Sequence, residues 1–472
     1  MEGQGAGSRQ IRPLQGLSRF RFLLRYPILL LAFGPPELKE GVAGASGSHF
    51  DYWNLLQASW LAAISLRAIY RLLFSKSIRI PQQTRSILKY FAILGVLFLF
   101  SVAYSPVPAV SLQFLVLYIL NLICVVEFLV DVYHNPPDWI QFLFAIRFIY
   151  LVLVVLVFVV LPFEPTWVMV TVEGHGIRLE GGQVASLDII CPVIAIISAY
   201  AFTFSLESKV KSVIFFLVAA SALAATQVRG AEISLLLVLP ILGIQWARRN
   251  VRFMSFFVSG ALVIVLLSGL IAVALGDRVL DTFLRGQDIG QVLGGSGRVA
   301  VWQGLVEYCL AHPQGMGYIA GMRNAHLGGV FGASMHIQLN AVGGTDDGYM
   351  EVLADAGWLA LAVYLIVFFK TAKLGWRFVR SNYITYRFHK TSTLHALQCA
   401  LLVFLYCCLE QLENSDFAIP ARQGFYIQYI SIAIILGASG TLLTAAISAE
   451  AEEFRKWRQT TEQSFLNPVP GN

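Results

Sequence analysis

The sequence predicts an all-α polytopic membrane protein with about twelve transmembrane helices. Composition is the first observation: of 472 residues, 57% are hydrophobic and only 13% are charged, with a mean hydropathy of +0.67. Soluble domains carry about 25% charged residues. The second observation is that apolar runs of about 20 residues, enough to cross the hydrocarbon core, recur along the chain. The net charge of +6 does not require a nucleic-acid partner, because basic residues on inner loops produce the same excess.

The apolar runs give the positions of the expected helices. The first six lie near residues 22–34, 52–70, 90–107, 110–130, 139–162 and 187–205. The other six lie near residues 212–226, 231–247, 253–275, 349–369, 394–411 and 425–447. Residues 163–186, which follow the fifth run, alternate apolar and polar side chains with β-branched residues, so a short hairpin near the membrane surface is expected.

The distribution of basic residues orients this bundle. With both termini inside, most of the 34 lysines and arginines fall on inner segments, as the positive-inside rule requires. The polar stretch after the ninth helix then lies outside. The predicted organisation is a helical bundle in 1–275, a large outer loop with an amphipathic helix in 276–348, further transmembrane helices in 349–449 and an inner tail in 450–472.

Arg229 stands in the short turn Arg229-Gly230-Ala231 between two apolar helices. A charge in this position is costly unless it reaches water, a partner or an anion. The neighbouring Gly230 permits unusual backbone geometry. Two interpretations stay open for Arg229: an arginine that binds an anionic group, and one that extends to the lipid headgroups.

A glycine-rich stretch ends at Gly297 and Arg298, and apolar residues at helical spacing follow it. The pattern predicts a helix that begins near Arg298 and ends before Pro313. Free N–H groups at a helix start and a guanidinium group together suit a diphosphate. Gly297, Arg298 and Arg229 are therefore candidate diphosphate-binding residues, and a plain linker is the alternative for the glycines.

Asp346 and Asp347 lead directly into the helix that follows the loop. Carboxylates in this position stabilise a helix start by capping it. They could also act as a general base toward a hydroxyl group, which makes both candidate catalytic residues. His326 and His336 have no carboxylate or cysteine at metal-ligand spacing, so no metal site and no cofactor are expected.

Three motifs within residues 212–370 resemble the O-antigen ligase and Wzy-type polysaccharide polymerase superfamily. They are the Arg229-Gly230-Ala231 turn, the segment SGRVAVWQGLVEYCLAHPQGMGY and the segment TDDGYMEVLADAGWLALAVYL. The resemblance implies a GT-C-like helical bundle in the bacterial inner membrane, with both termini cytoplasmic and the large loop periplasmic. It implies an inverting, metal-independent glycosyltransferase whose donor is a glycan on undecaprenyl diphosphate. Arg229 and Arg298 match the family arginines that are thought to hold the diphosphate.

The family pattern also separates two activities. The ligases usually have His-Asn where this chain has Asp346-Asp347, and the aspartate form looks more like the exopolysaccharide polymerases. We therefore expect a polymerase that joins undecaprenyl-diphosphate-linked repeat units for an exopolysaccharide or O-antigen. A ligase that transfers glycan to lipid A core or to a protein is the alternative.

A transporter or flippase for lipid-linked sugars is the alternative from another class. Flippases should carry charges along several helices, whereas charged residues within the predicted helices are sparse, Arg67, Glu127 and Arg147 among them. The expected partners are the lipid-linked oligosaccharide and the bilayer, with a chain-length regulator and a flippase as candidate protein partners.

Overall fold

The computed structural model describes residues 22, 25–26, 28–33, 52–74, 80–172, 176–179, 181, 184–249, 298–319, 347–380, 391–420 and 422–466. Most of these residues are helical. The α-helices are α1 Ile28–Leu31, α2 Tyr52–Phe74, α3 Gln82–Val102, α4 Pro108–His134, α5 Trp139–Val160, α6 Leu187–Thr203, α7 Lys209–Thr226, α8 Arg229–Arg249, α9 Arg298–Ala311, α10 Gly348–Arg380, α11 Thr391–Glu410 and α12 Gln423–Leu466. The 3₁₀ turns are Pro165–Trp167 and Ser415–Phe417.

Seven segments in the described ranges are long and apolar enough to cross a membrane. They are α3, α4, α5, α7, α10, the Ser392–Glu410 part of α11 and the Gln423–Thr444 part of α12. α6 is apolar but shorter. These helices confirm the all-α, multi-pass membrane class. The expected helix at 253–275 lies outside the described residues, and within 22–34 the structure describes residues 22, 25–26 and 28–33, with α1 as a single turn. The total of about twelve helices therefore stays a prediction.

The membrane part of α12 is the most buried of these segments, whereas α7 is largely exposed. An exposed apolar helix suits a lipid-facing position. Gly437 and Gly440 let large side chains approach the α12 backbone: a Cβ added at Gly437 would lie 2.6 Å from Trp139, and one at Gly440 would lie 2.7 Å from the Tyr133 hydroxyl. Small residues at helix contacts are the usual means of close packing in membranes.

The predicted hairpin within 163–186 is confirmed. Strands β1 Met169–Val172 and β2 Gly176–Leu179 pair antiparallel, with Met169 opposite Leu179. The Gly181 N–H donates to the Val168 carbonyl at 2.9 Å, which closes the base of the hairpin. The hairpin connects α5 to α6.

Two ion pairs lie at the end of the bundle where α4 ends and α5 begins, called the opposite end below. One joins α5 to the turn between α6 and α7, and the other joins α2 to α4. The two terminal guanidinium nitrogens of Arg147 in α5 donate hydrogen bonds to the Glu207 carboxylate, at 2.5 and 2.7 Å. Arg71 in α2 donates to Glu127 in α4 at 2.7 Å. Both Arg147 and Glu127 are buried, so the charges that the sequence places within helices have partners close by.

Candidate functional site

Four turns meet at the other end of the bundle, called the site end below. They are residues 103–107, 227–228, 312–319 and 411–420. Hydrogen bonds and close contacts join them, and the starts of α8, α10 and α12 lie there. Each helix start carries the positive end of a helix dipole. The end as a whole therefore favours negative charge.

Arg229 is the first residue of α8, and its side chain is half-buried. The unusual backbone of this turn belongs to Gln227, whose φ of 56° ends α7 in the left-handed conformation. The sequence interpretation assigned that geometry to Gly230, and the structure corrects it: Gly230 is helical. The absence of its side chain matters for packing, because an added Cβ would lie 3.0 Å from the Glu413 Cβ and Cδ atoms.

Asp347 caps the start of α10. Its Oδ1 accepts the backbone N–H groups of Tyr349 and Met350, both at 2.8 Å, and the residue is 4% exposed. The next residue, Gly348, donates its N–H to the Gln411 carbonyl at 2.7 Å, and the Gln411 side chain packs directly over it. The capping interpretation of Asp347 is therefore confirmed, while its catalytic role stays a prediction.

The loop at 411–413 is the element that brings these two helix starts together. Glu413 contacts Gly230 beside Arg229, and Gln411 contacts Gly348 beside Asp347. Two predicted site residues that are distant in sequence thus flank one short loop. Sequence reasoning assigned no role to Gln411 or Glu413, because no local pattern shows which loop will lie beneath the two helix starts.

α10 is broken at Gly357, which has φ 77° and ψ −173°. The turn 312–319 fills the break: Met316 N–H donates to Ala354 O at 2.7 Å, and Trp358 N–H donates to Pro313 O at 3.2 Å. The carbonyl groups released by the break are thereby satisfied, as buried backbone groups must be. The helix predicted at 349–369 therefore consists of two pieces. The piece before the break, which Asp347 caps, is called the outer piece below, and the longer piece after the break is the one that crosses the membrane.

α9 confirms the helix expected between Arg298 and Pro313. It packs on the outer piece of α10 through a small separate core of Leu305, Cys309, Met316, Leu353 and Ala354. The Cys309 thiol in α9 donates to the Leu353 carbonyl at 3.7 Å, and just after α9 the Pro313 carbonyl accepts the Trp358 N–H.

Arg298 begins α9 and Asp347 caps α10, so the packing of these two helices on each other links the two predicted site residues. The structure describes Arg298 through its backbone only.

Asp347, Glu351 and Asp355 occupy one face of α10, and all three are buried. Their four-residue spacing is the sequence signal that could have identified this face. The Tyr104 hydroxyl donates to the Gln314 carbonyl close to the same face. Burial, and next the carboxylate of Asp355, raise the pKa of Tyr104 to about 12.

Arg422 is a second arginine at the site end, just before the start of α12. Burial lowers the pKa of its guanidinium group to about 10. The Nε atom lies 3.8 Å from the Asp416 carboxylate. On the same loop, the Asn414 amide donates to Asp188 at the start of α6, at 3.3 Å. The sequence placed Arg422 on the outer face but gave it no role.

Two predicted site residues, Asp346 and Gly297, lie outside the described residues. Among the residues that are described, no group of three or more histidine, cysteine, aspartate or glutamate side chains is arranged to hold a metal ion. The groups that the described site offers to a ligand are therefore guanidinium groups, carboxylates, amides and helix starts.

Residues 214–365 match the family model described as O-antigen ligase (Wzy_C). These residues are similar to the O-antigen ligase family. The O-antigen ligase domain covers about a third of the chain and contains all five predicted site residues, from Arg229 to Asp347. Gln411, Glu413 and Arg422 lie outside it, so the site end combines the domain with helices that follow it. No curated protein matches the chain.

The family and the helices together give the coarse identity. The resemblance to the O-antigen ligase and Wzy-type superfamily is confirmed, and the chain is a multi-pass membrane protein. Members of this family are glycosyltransferase-like enzymes that include ligases and polymerases.

Proposed function

We propose that the protein is a polysaccharide polymerase that joins undecaprenyl-diphosphate-linked oligosaccharide repeat units at the periplasmic face of the bacterial inner membrane. The observation that carries the proposal is the convergence of the Arg229 and Asp347 helix starts on residues 411–413, within an O-antigen ligase domain. The same arrangement supports a site that handles an anionic group beside a carboxylate.

Transfer requires the acceptor hydroxyl oxygen to form a bond to the anomeric carbon of the donor glycan. The bond from that carbon to the diphosphate oxygen breaks, and the diphosphate leaves with the electron pair. Arg229, Arg298 and the N–H groups at Gly297 are proposed to stabilise the charge that develops on it. The hydroxyl proton passes to a carboxylate. Attack from the face opposite the leaving group inverts the anomeric carbon, and this chemistry requires no metal ion.

The two aspartates receive different parts in this proposal. Oδ1 of Asp347 is already engaged by two backbone N–H groups. Asp346 is therefore the first candidate for the base, and Asp347 is its positioning neighbour and second candidate. The aspartate at 346, where ligases usually have histidine, is what favours a polymerase over a ligase.

Reconstitution tests the proposal. The purified protein is incubated in liposomes with undecaprenyl-diphosphate-linked repeat units, and the products are separated by length. A ladder of lengthening lipid-linked products is the expected result. Transfer of a single glycan to lipid A core would assign a ligase instead. Intact substrate that has moved across the bilayer would assign a transporter.

A further inference from the structure

Five polar side chains gather in the interior of the bundle beneath the start of α10. They are Tyr318 in the 312–319 turn, Tyr364 in α10, Gln411 in the 411–413 loop, and Gln428 and Tyr429 in α12. All five are buried, and Gln411 and Gln428 are 0% exposed. This group is called the hydroxyl pocket below.

Hydrogen bonds and electrostatic interactions place these side chains near one another. The Tyr364 hydroxyl donates to Gln411 Oε1 at 3.2 Å. Gln428 also hydrogen-bonds with the Tyr364 hydroxyl, and Tyr429, whose hydroxyl lies beside that of Tyr118, interacts electrostatically with both Tyr364 and Tyr318. The Gln411 carbonyl also accepts the Gly348 N–H, so the hydroxyl pocket lies directly beneath the helix start that Asp347 caps.

Polar atoms in the hydroxyl pocket lack hydrogen-bond partners within the described part of the chain. They are the Tyr318 hydroxyl, Gln411 Nε2 and one of the two side-chain polar atoms of Gln428, while the Tyr429 hydroxyl has that of Tyr118 beside it and the other Gln428 atom has that of Tyr364. Buried polar groups in native proteins are almost always paired, with protein or with ordered water, because an unpaired one is costly. Three such atoms in one place indicate an occupant that the described protein atoms do not supply.

The chemistry of these atoms limits the occupant. Amide N–H groups require an acceptor and the amide oxygen requires a donor, whereas phenol groups can do both. A group that both donates and accepts satisfies all of them. We propose that the hydroxyl pocket binds neutral hydroxyl groups, either as water or as the hydroxyls of a sugar ring. The sugar source rests on the proposed function, and the water source does not.

Radiolytic hydroxyl-radical footprinting of the purified protein tests the pocket directly, because side chains next to interior water are oxidised in place. Tyr318 and Tyr429 are expected to be oxidised. Tyr150 is the matched control: its hydroxyl is also buried without a hydrogen-bond partner in the described part of the chain, but it faces a cavity lined almost entirely by aliphatic side chains such as Leu143 and Val193. Apolar cavities stay dry. Oxidation of Tyr318 and Tyr429 no greater than that of Tyr150 overturns the proposal.

A shape-conserving variant checks that the occupant depends on the amide. Gln428→Met is expected to lower oxidation of Tyr429 at least threefold, while Tyr150→Phe leaves it unchanged. Circular dichroism and gel filtration confirm that both variants are folded. Unchanged Tyr429 oxidation in folded Gln428→Met contradicts a hydroxyl group held there.

Added substrate separates the two sources. If lipid-linked oligosaccharide protects Tyr318 and Tyr429 from oxidation, and Gln428→Met raises its KM with kcat retained, sugar hydroxyls are the ligand. If neither the oxidation of the two tyrosines nor the KM changes, water is the ligand. A protein that shows no activity on any lipid-linked glycan contradicts the proposed function, yet the footprint without substrate still decides whether the pocket holds hydroxyl groups.

Discussion

The two ends of the bundle differ in how closely carboxylates hold their arginines. At the opposite end, Arg147 and Arg71 each donate to a carboxylate on another part of the bundle, at 2.5 and 2.7 Å. At the site end, the Arg422 Nε lies at a longer 3.8 Å from Asp416, while Asp347 accepts backbone N–H groups and Asp188 accepts the amide of Asn414.

This contrast shows how the charges of each end are used. A guanidinium group closed on a carboxylate joins helices and has little remaining charge to offer a ligand. Carboxylates that accept backbone and amide N–H groups, beside several helix starts, are oriented by neutral donors. We therefore expect substitutions at the opposite end to change stability, and those at the site end to change activity. The α10 break is the exception, since it supports the site through the fold.

The largest effect is expected from Gly357→Ala. The backbone there has a positive φ, and an added Cβ would lie 2.7 Å from the Gln314 carbonyl carbon. We expect a loss of more than about 4 kcal/mol in the free energy of unfolding, or no folded protein. Thermal unfolding in detergent measures this loss of stability, and the control is Gly243→Ala, a substitution within helix α8. Equal stability of the two variants would contradict the fixed break.

Arg147→Ala tests the opposite end. It leaves the partly buried Glu207 without its guanidinium partner but with Ser212 and Lys211 still beside it, so a loss of about 1.5–3 kcal/mol is expected. Activity per folded molecule should stay at the wild-type value, as measured in liposomes after correction for folded protein. A specific activity that falls tenfold while stability is unchanged would remove the distinction between the two ends.

Arg229→Ala tests the site end. Its loss should lower kcat about 100-fold or more if it stabilises the leaving diphosphate, while the unfolding temperature changes little. Arg298→Ala should behave in the same way. Arg85→Ala, an exposed arginine outside the site end, is the control. Wild-type polymer lengths from both Arg229→Ala and Arg298→Ala would exclude a diphosphate clamp.

A pair of variants separates the two possible roles of Asp347. Asparagine caps a helix as well as aspartate does, whereas alanine costs about 1 kcal/mol. If Asp347 acts only as a cap, Asp347→Asn keeps activity and stability, and Asp347→Ala loses stability. If it acts as the base, both variants lose kcat. At Asp346, the Asp346→Asn variant is expected to lose activity. Full activity of Asp346→Asn would exclude Asp346 as the base.

The smallest effect concerns pH. Burial alone would raise the pKa of Glu207, but the hydrogen bond and charge of Arg147, with Ser212 and Lys211, bring it below the usual 4.5. The unfolded chain then binds more protons at acidic pH. This contribution to stability is present above about pH 4.5 and is lost as pH falls through the lowered pKa. Glu207→Gln should flatten that part of an unfolding-temperature profile, and an unchanged profile would contradict the assignment.

The class of protein and the position of most described helices follow from the sequence alone. Apolar runs and helical spacing are local properties, so α9 from Arg298 and the hairpin at 163–186 could be predicted from the residues themselves. The order of the motifs also identified the family, because family motifs are a property of sequence. Helix capping was one of the two roles that the sequence suggested for Asp347, and the hydrogen bonds that its Oδ1 accepts show that it caps α10.

The assembly of the site, in contrast, depends on tertiary contacts. Gly357 breaks α10 because the turn 312–319 satisfies the carbonyl groups that the break releases. Gly230 is needed because Glu413 occupies the space of its side chain. Contacts of this kind join atoms far apart in the chain, and local patterns carry no information about them. The loop at 411–413, which lies outside the O-antigen ligase domain, unites the two helix starts for the same reason.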